Sequence, residues 1–415
     1  MTKRLYYDHP ELLEFDSTIE DVHGAGDVAS SSRPAVILRE SAFYPTSGGQ
    51  VHDTGWLTVG SERFRVTGAV ENDSGAVVHY LDAPAGPPAA GSVVRGVIDS
   101  ERRRDHMQQH SGQHVLSAAF IELYQMPTVS FHMGEDYCSI DLAVAEVRPD
   151  QLVGAEGRAN EIIFENRPVG IRYVSRAEAE KLGLRKLPPA ERDELRLIEI
   201  ANFDLSACGG THVAATGQIG SVLLRKSEKV RQGTRVEFVC GWRALRAARR
   251  DYTSLTEAAA LFSSQPGDVP EMIRKTFEEG KALRRQRDDA VEELAAAMAR
   301  ESIGRSGDRA IGSSANRAVV VRTFSDRDIS FAKLFAQKAT RLGVPAIALV
   351  GSTVSPPGLV FAQTAGGASD MGALLKQVLA EAGGRGGGSR DFAQGGVPAG
   401  ANVEDILRQA AGKIA

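Results

Sequence analysis

Through the first part of the chain, apolar positions fall in short runs, at 35–38, 56–59, 64–70 and 77–81, divided by Gly, Ser, Asp and Pro. Runs of this length between turn residues predict strands. The stretch 83–91, APAGPPAAG, suits no regular element, because proline lacks a backbone N–H and glycine is conformationally loose. It reads as an inner boundary. The pattern changes at Asp99. Residues 100–123 contain no proline and one glycine, and predict a long helix. Strands are predicted at 140–142 and 172–175, with a helix at 149–166 between them. Two further strands, at 219–225 and 234–240, are joined by the segment 226–233.

Helical patterns follow at 242–261 and 269–303. The second carries apolar residues at Val269, Ile273, Phe277, Leu283, Val291, Leu294 and Met298, with charges at most other positions. An amphipathic helix packed on a neighbour accounts for this, and a dimer-forming coiled coil is the sharper alternative. Beyond a Gly/Ser-rich break at 304–316, strands at 317–324 and 346–351 alternate with helices at 329–342 and 371–382. Alternation of this kind predicts a small α/β domain.

A length of 415 residues implies several domains. The formal net charge of −4 argues against a protein that coats DNA, but a local basic patch can still bind RNA. Three cysteines, Cys138, Cys208 and Cys240, are too few and of the wrong parity for a disulfide scaffold. The N-terminus has no apolar signal core, and apolar runs such as 344–350 are too short to span a bilayer. A reducing cytoplasm is the expected compartment.

Two short segments carry the chemistry. In His110-Ser111-Gly112-Gln113-His114 the two imidazoles are four apart on a predicted helix, so they share a face and can reach one ion. In Cys208-Gly209-Gly210-Thr211-His212 a thiol and an imidazole flank two glycines, which let the backbone turn so that both side chains converge. Each spacing alone is weak, and His106, one turn before His110, could take the same role. Together they offer one Cys and three His, a donor set suited to zinc. Four protein ligands suggest a closed, structural site, whereas a catalytic zinc keeps a position for water.

At these residues the chain resembles the alanyl-tRNA editing family. The Cys208–His212 segment, with Asp204 before it, is similar to the signature of the editing domain of alanyl-tRNA synthetase. His110–His114 followed by Val115-Leu116-Ser117-Ala118 resembles that domain's histidine helix, a match that selects His110 and His114 over His106. Phe43-Tyr44-Pro45, Ser47-Gly48-Gly49-Gln50 and Asp53-Thr54-Gly55 resemble the glycine-rich loop of the β domain before it. The segment 383–396, GGRGGGSRDFAQGG, resembles the glycine motif of the synthetase's C-terminal domain. The residues before Phe43 leave no room for an aminoacylation domain, so the resemblance is to the free-standing editing proteins.

The resemblance implies an α+β multidomain chain: a small β-barrel-like domain at 1–95, a zinc-containing editing domain at 96–245, a helical linker at 246–305 with possible dimerisation, and a C-terminal α/β domain at 306–415 that binds tRNA. It implies hydrolysis of the aminoacyl ester of Ser-tRNA(Ala), and in many members Gly-tRNA(Ala), with Zn2+ as cofactor. The partners are mischarged tRNA(Ala) and a second copy through the C-terminal half, with no DNA and no membrane. His110, His114, Cys208 and His212 are the expected metal ligands. Gln113, Gly209, Gly210 and Thr211 are expected around the reacting ester, and Gln50, Asp204 and Thr211 toward the substrate. Lys226, Lys229, Arg231, Arg235, Arg385 and Arg390 are expected to meet RNA. The alternatives are a zinc-stabilised tRNA-binding module without catalysis, or editing of another aminoacyl-tRNA such as Ser-tRNA(Thr).

Overall fold

The computed structural model describes residues 1–23, 33–182, 184, 194–231, 233–307 and 317–414. They form two compact units, Met1–Glu257 and Ala258–Ala415.

The first unit begins with a closed six-stranded barrel. Its strands run around the barrel in the order Glu14–His23, Ala35–Leu38, Val77–Asp82, Glu62–Glu71, Gly55–Val59, Val93–Ile98. Alternate side chains point inward, and Phe15, Ile19, Leu57, Val66, Leu81, Val94 and Ile98 fill the interior together with Phe43. The expected inner boundary at 83–91 is not one. Val93–Ile98 lies beyond it and closes the barrel, pairing with both Glu14–His23 and Gly55–Val59. The expected limit at residue 95 therefore cuts a strand. Val93–Ile98 escaped notice because a strand with only three inward positions leaves little pattern.

Asp99 ends the barrel and caps the helix Ser100–Tyr124, its carboxylate accepting from the Arg102 N–H at 3.3 Å. Every residue of this helix from Gln108 to Phe120 is buried, polar ones included. One side packs on the helix Pro149–Phe164 and on a four-stranded antiparallel sheet, in the order Val222–Val230, Gly233–Cys240, Cys138–Leu142, Thr128–Met133. A second antiparallel sheet orders Val169–Ser175, Glu194–Ile200 and Asp204–Ala207, the last leading straight into Cys208. The segment expected to join the strands near 226–233 is strand down to Val230, so the hairpin tip is shorter than expected.

A buried ion pair joins barrel and helix. Asp53, fully buried, accepts from Arg103 and from the Tyr44 N–H at 2.7 Å, and Arg103 also donates to Pro10 and Ala42 carbonyls. All of its charge is matched, which is the condition for burying a guanidinium.

The second unit is built on a five-stranded sheet in the order Ala318–Phe324, Ala346–Ser352, Gly358–Gln363, Phe392–Gly396, Arg385–Gly388. Only the first pair is parallel; the other pairs are antiparallel, so the expected alternation holds for one crossover alone. The helix Val269–Gly307 runs through Gly304, part of the expected break, whose residues 308–316 lie outside the described residues. Its Ala295 and Ala299 are fully buried against Phe324, Phe331 and Phe335, so the end of the expected linker belongs to this unit's core. The glycine-rich segment 383–396 is a hairpin, Arg385–Gly388 pairing with Phe392–Gly396. A Cβ on Gly395 would stand 2.4 Å from Leu379 Cδ1, and one on Gly386 would stand 2.4 Å from Gly395 Cα. The glycines let the helix Met371–Ala382 lie directly on the strands. No described helix is long and apolar enough to cross a membrane.

Candidate metal centre

Ser100–Tyr124 presents His110 and His114 one turn apart, and the turn after Asp204–Ala207 brings Cys208 and His212 against them. The four donor atoms lie within 4.8 Å of one another. Cys208 Sγ is 3.4 Å from His110 Nε2 and 3.3 Å from His212 Nε2. A tetrahedral zinc with ordinary bond lengths sets such S···N edges at about 3.6 Å. The donor set, the spacing and the burial fit a zinc ion held by these four side chains.

The outward nitrogens of the ring are also engaged. His110 Nδ1 donates to Gln50 Oε1 at 2.7 Å, and His114 Nδ1 donates to Asp204 Oδ2 at 3.3 Å. His212 Nδ1 lies 3.2 Å from Ser111 Oγ, which itself accepts from the Val213 N–H. Each hydrogen bond keeps Nδ1 protonated and turns the Nε2 lone pair toward the common point, the arrangement that orients metal-binding imidazoles. Burial opposes ionisation of Cys208, yet the imidazoles of His110 and His212 outweigh it and hold the thiol well below its usual range. Burial pushes His212 down to about 3. It works against the charge on His114 as well, but the Asp204 and Cys208 contacts prevail and hold that residue up at about 9. A thiolate and a neutral His212 are ready ligands, while His114 gives up its proton when a metal arrives.

Gly210 is required by close approach. A Cβ there would stand 2.2 Å from His110 Cε1 and 2.9 Å from Gln50 Oε1. Its N–H donates to Cys208 Sγ at 3.4 Å and steadies the thiolate. Thr211 is fully buried, and its hydroxyl accepts from Gln50 Nε2 at 2.8 Å. Gln50 itself is fully buried between His110 and Thr211, and Asp204 accepts from His114, so both side chains brace the cluster's imidazoles. The sequence motif placed Gln50 in a loop 60 residues before His110, and nothing in its pattern told that the side chain would reach the histidine.

A cleft of about 520 Å³ opens beside the cluster, lined by His110, His114 and Cys208 and by Gln113, Thr128 and Phe131 among others. Gln113 Nε2 donates to Ser117 Oγ at 2.8 Å, and Ser117 Oγ lies 2.7 Å from Thr128 Oγ1. That leaves the Gln113 carbonyl and the Thr128 hydroxyl as polar groups on the wall. Thr128 and Ser111 were not anticipated. Ser111 sits inside the histidine motif and could have been suspected from that alone. His106 is buried apart from the cluster, its pKa pushed down to about 3 by burial.

The basic residues are scattered. Lys226 is paired with Glu228, and Arg235 is held by Asp141 at 2.7 and 2.9 Å, so their charges are answered within the fold. Lys229 and Arg231 are exposed near the hairpin tip. Arg385 and Arg390 are exposed in the second unit, where Arg390 donates to the Ala368 carbonyl at 3.3 Å.

Comparison with known proteins gives a consistent result. Residues 2–102 match the family of class II (A) tRNA synthetases, and residues 195–236 match the threonyl and alanyl tRNA synthetase second additional domain. The alanyl-tRNA editing protein AlaX-L of Pyrococcus horikoshii is 31% identical over 419 residues, covering 100% of this chain and 98% of its own. The alanine–tRNA ligase of Archaeoglobus fulgidus is 32% identical over 98% of this chain, and that of Halobacterium salinarum 33% over 99%. The chain spans 43% and 44% of those two ligases. A C-Ala domain of Aquifex aeolicus alanyl-tRNA synthetase aligns with 25% of the chain at 16% identity and a TM-score of 0.22, too low to argue from.

Proposed function

Because the chain belongs to the alanyl-tRNA editing family, we propose that it is a deacylase that removes serine, and glycine, from mischarged tRNA(Ala). The observation that carries this reading is the metal cluster with its cleft. Three imidazoles and a thiolate converge, each imidazole is braced from behind, and the pocket beside them has a polar wall.

The reaction adds water to the ester carbonyl and releases the amino acid and a ribose hydroxyl. Bound zinc supplies a positive centre that draws charge from an ester or hydroxyl oxygen. The chain's own residues do the rest. His110, His114, Cys208 and His212 hold the centre. Phe131, whose ring lies 5.3 Å from that of His110, walls the pocket against water. The Gly209 N–H is the candidate donor for the developing oxyanion, since that of Gly210 is engaged by Cys208. Gln113 Oε1 and the Thr128 hydroxyl suit a serine hydroxyl, one as acceptor and the other as donor. Alanine would leave both without a partner, and a site built to bond a hydroxyl discriminates on that ground. Lys229, Arg231 and Arg385 are the proposed RNA contacts, and Lys226 and Arg235, already paired, are the weaker candidates.

The test is deacylation of Ser-tRNA(Ala) alongside Ala-tRNA(Ala) and Ser-tRNA(Thr). Loss of serine from the first with alanine spared supports the reading, and Thr128→Val should then shrink the preference for serine about tenfold, near 1.4 kcal/mol. Stable esters in all three, with tRNA still bound, would favour a zinc-stabilised binding module instead.

A further inference from the structure

Among the described residues, Arg103, Arg243 and Arg196 are arginines more than nine-tenths buried. Arg103 is neutralised by Asp53 and Arg243 by Asp105, whereas Arg196, on the strand Glu194–Ile200, has no carboxylate partner among the described residues. Its guanidinium is directed at backbone instead. Nε donates to the Tyr7 carbonyl at 2.9 Å, and Nη1 donates to the Cys208 and Gly210 carbonyls at 2.7 and 3.1 Å. The Arg196 carbonyl in turn accepts from the Cys208 N–H at 3.1 Å. Nη2 is sealed from solvent, so this cation acts inward, on the loop that carries Cys208 and His212.

A trans peptide is planar, and its C=O and N–H point in opposite directions. The peptides of this loop are trans, so fixing a carbonyl aims the N–H of the same peptide. The Gly210 carbonyl shares its peptide with the Thr211 N–H. That N–H donates to Gln50 Oε1 at 3.2 Å, and the same oxygen accepts from His110 Nδ1 at 2.7 Å. Through this peptide Arg196 reaches across the loop, in a line that ends on a metal ligand. The Cys208 carbonyl shares its peptide with the Gly209 N–H. From Cys208 to Thr211, the N–H groups of Cys208, Gly210 and Thr211 have partners in the Arg196 carbonyl, Cys208 Sγ and Gln50. That of Gly209 has none among the described residues. A cation bonded to a peptide oxygen draws charge from the N–H end and strengthens it as a donor.

We propose that Arg196 is a positioning residue for ester hydrolysis. By holding the Cys208 carbonyl it aims the Gly209 N–H at the reacting oxygen and polarises it. By holding the Gly210 carbonyl it steadies the line from Thr211 through Gln50 to His110. One guanidinium thus sets the oxyanion donor and a metal ligand in a fixed relation to each other. The catalytic use of the Gly209 N–H rests on the deacylase reading, and its orientation by Arg196 does not.

The test uses the full-length, zinc-loaded protein with Arg196→Met, which removes the donors, and Arg196→Lys, which returns a cation to the same place. In deacylation of Ser-tRNA(Ala), Arg196→Met should lose about 100-fold in kcat, as for loss of an oxyanion donor, with KM within about threefold of wild type. Arg196→Lys should recover about tenfold of that loss. A second readout needs no turnover. In protein carrying isotope-labelled glycine, the Gly209 amide signal is identified by its absence in Gly209→Ala. Its proton should move upfield in Arg196→Met and return part of the way in Arg196→Lys. Should Arg196→Met fail to fold, Arg196→Gln, which keeps a neutral donor, takes its place under the same criteria. A Gly209 amide unmoved by loss of the guanidinium, a kcat retained without it, a rise in KM as the main effect, or Arg196→Lys no better than Arg196→Met would each overturn the proposal. A wild-type protein that leaves every aminoacyl ester intact would overturn the deacylase reading and the catalytic use of Gly209, while the amide shift still decides whether Arg196 orients that peptide.

Discussion

Gln50 offers the sharpest test of how the centre is built. It belongs to the barrel's glycine-rich loop, yet its Oε1 accepts from His110 Nδ1 at 2.7 Å and from the Thr211 N–H at 3.2 Å, while its Nε2 donates to Thr211 Oγ1 at 2.8 Å. Gln50→Met keeps the volume and removes the acceptor. The His110 ring then loses what fixes its tautomer and tilt, and metal affinity should fall about 10- to 100-fold, roughly 1.4 to 2.8 kcal/mol. Gln50→Glu keeps an acceptor for His110 and for Thr211 N, and the Thr211 hydroxyl can turn to donate to it. That variant should stay within about threefold of wild type. The assay is zinc competition against a chromophoric chelator at fixed pH. A Gln50→Met protein with wild-type zinc affinity would refute the reasoning, because the outward bond to His110 would then contribute nothing to the metal.

Gly210→Ala should force the His110 ring back by about 1 Å and cost on the order of 100-fold in deacylation with the fold retained by circular dichroism; unchanged activity would mean the loop moves freely. Asp53→Ala leaves Arg103 buried alone and should cost about 3 to 5 kcal/mol in denaturant unfolding, against less than 1 if the pair is dispensable. His79, sealed in the barrel against Ser41 and the Val36 carbonyl, has its pKa pushed down by burial to about 4. Because the unfolded chain takes up that proton first, stability is full above pH 6.5 and is lost as pH falls toward 4, by roughly 3 kcal/mol in the limit. His79→Gln should lack that component of the acid sensitivity, and identical pH profiles of unfolding would rule it out.

What could be read from the sequence was what has a local period or a short motif. The long helix Ser100–Tyr124 and the strand pair ending at Cys240 follow from patterning, and the four ligands from two five-residue segments. What escaped depended on contacts distant in sequence. Val93–Ile98 is a strand because two other barrel strands need a partner, not because its own pattern is strong. The glycines of 383–396 gave no sign of their hairpin, because composition does not report that a helix will lie on them. Gln50, Asp204 and Thr211 were placed at the site by the motifs, but that Gln50 would bond His110 and Thr211 and that Asp204 would bond His114 was not legible, since the direction a buried polar side chain takes is settled by packing alone. Charge misled in the same way: Lys226 and Arg235 look available in the sequence and are paired in the fold.

The bracing of His110 by a barrel residue has a consequence for a chain still being made. The helix carrying His110 and His114 leaves the ribosome about a hundred residues before Cys208 and His212, and until the barrel has closed Gln50 is not in place to hold the first of these rings. The braced site therefore assembles only after the barrel and both ligand segments have been made, the last of them about a hundred residues after the first.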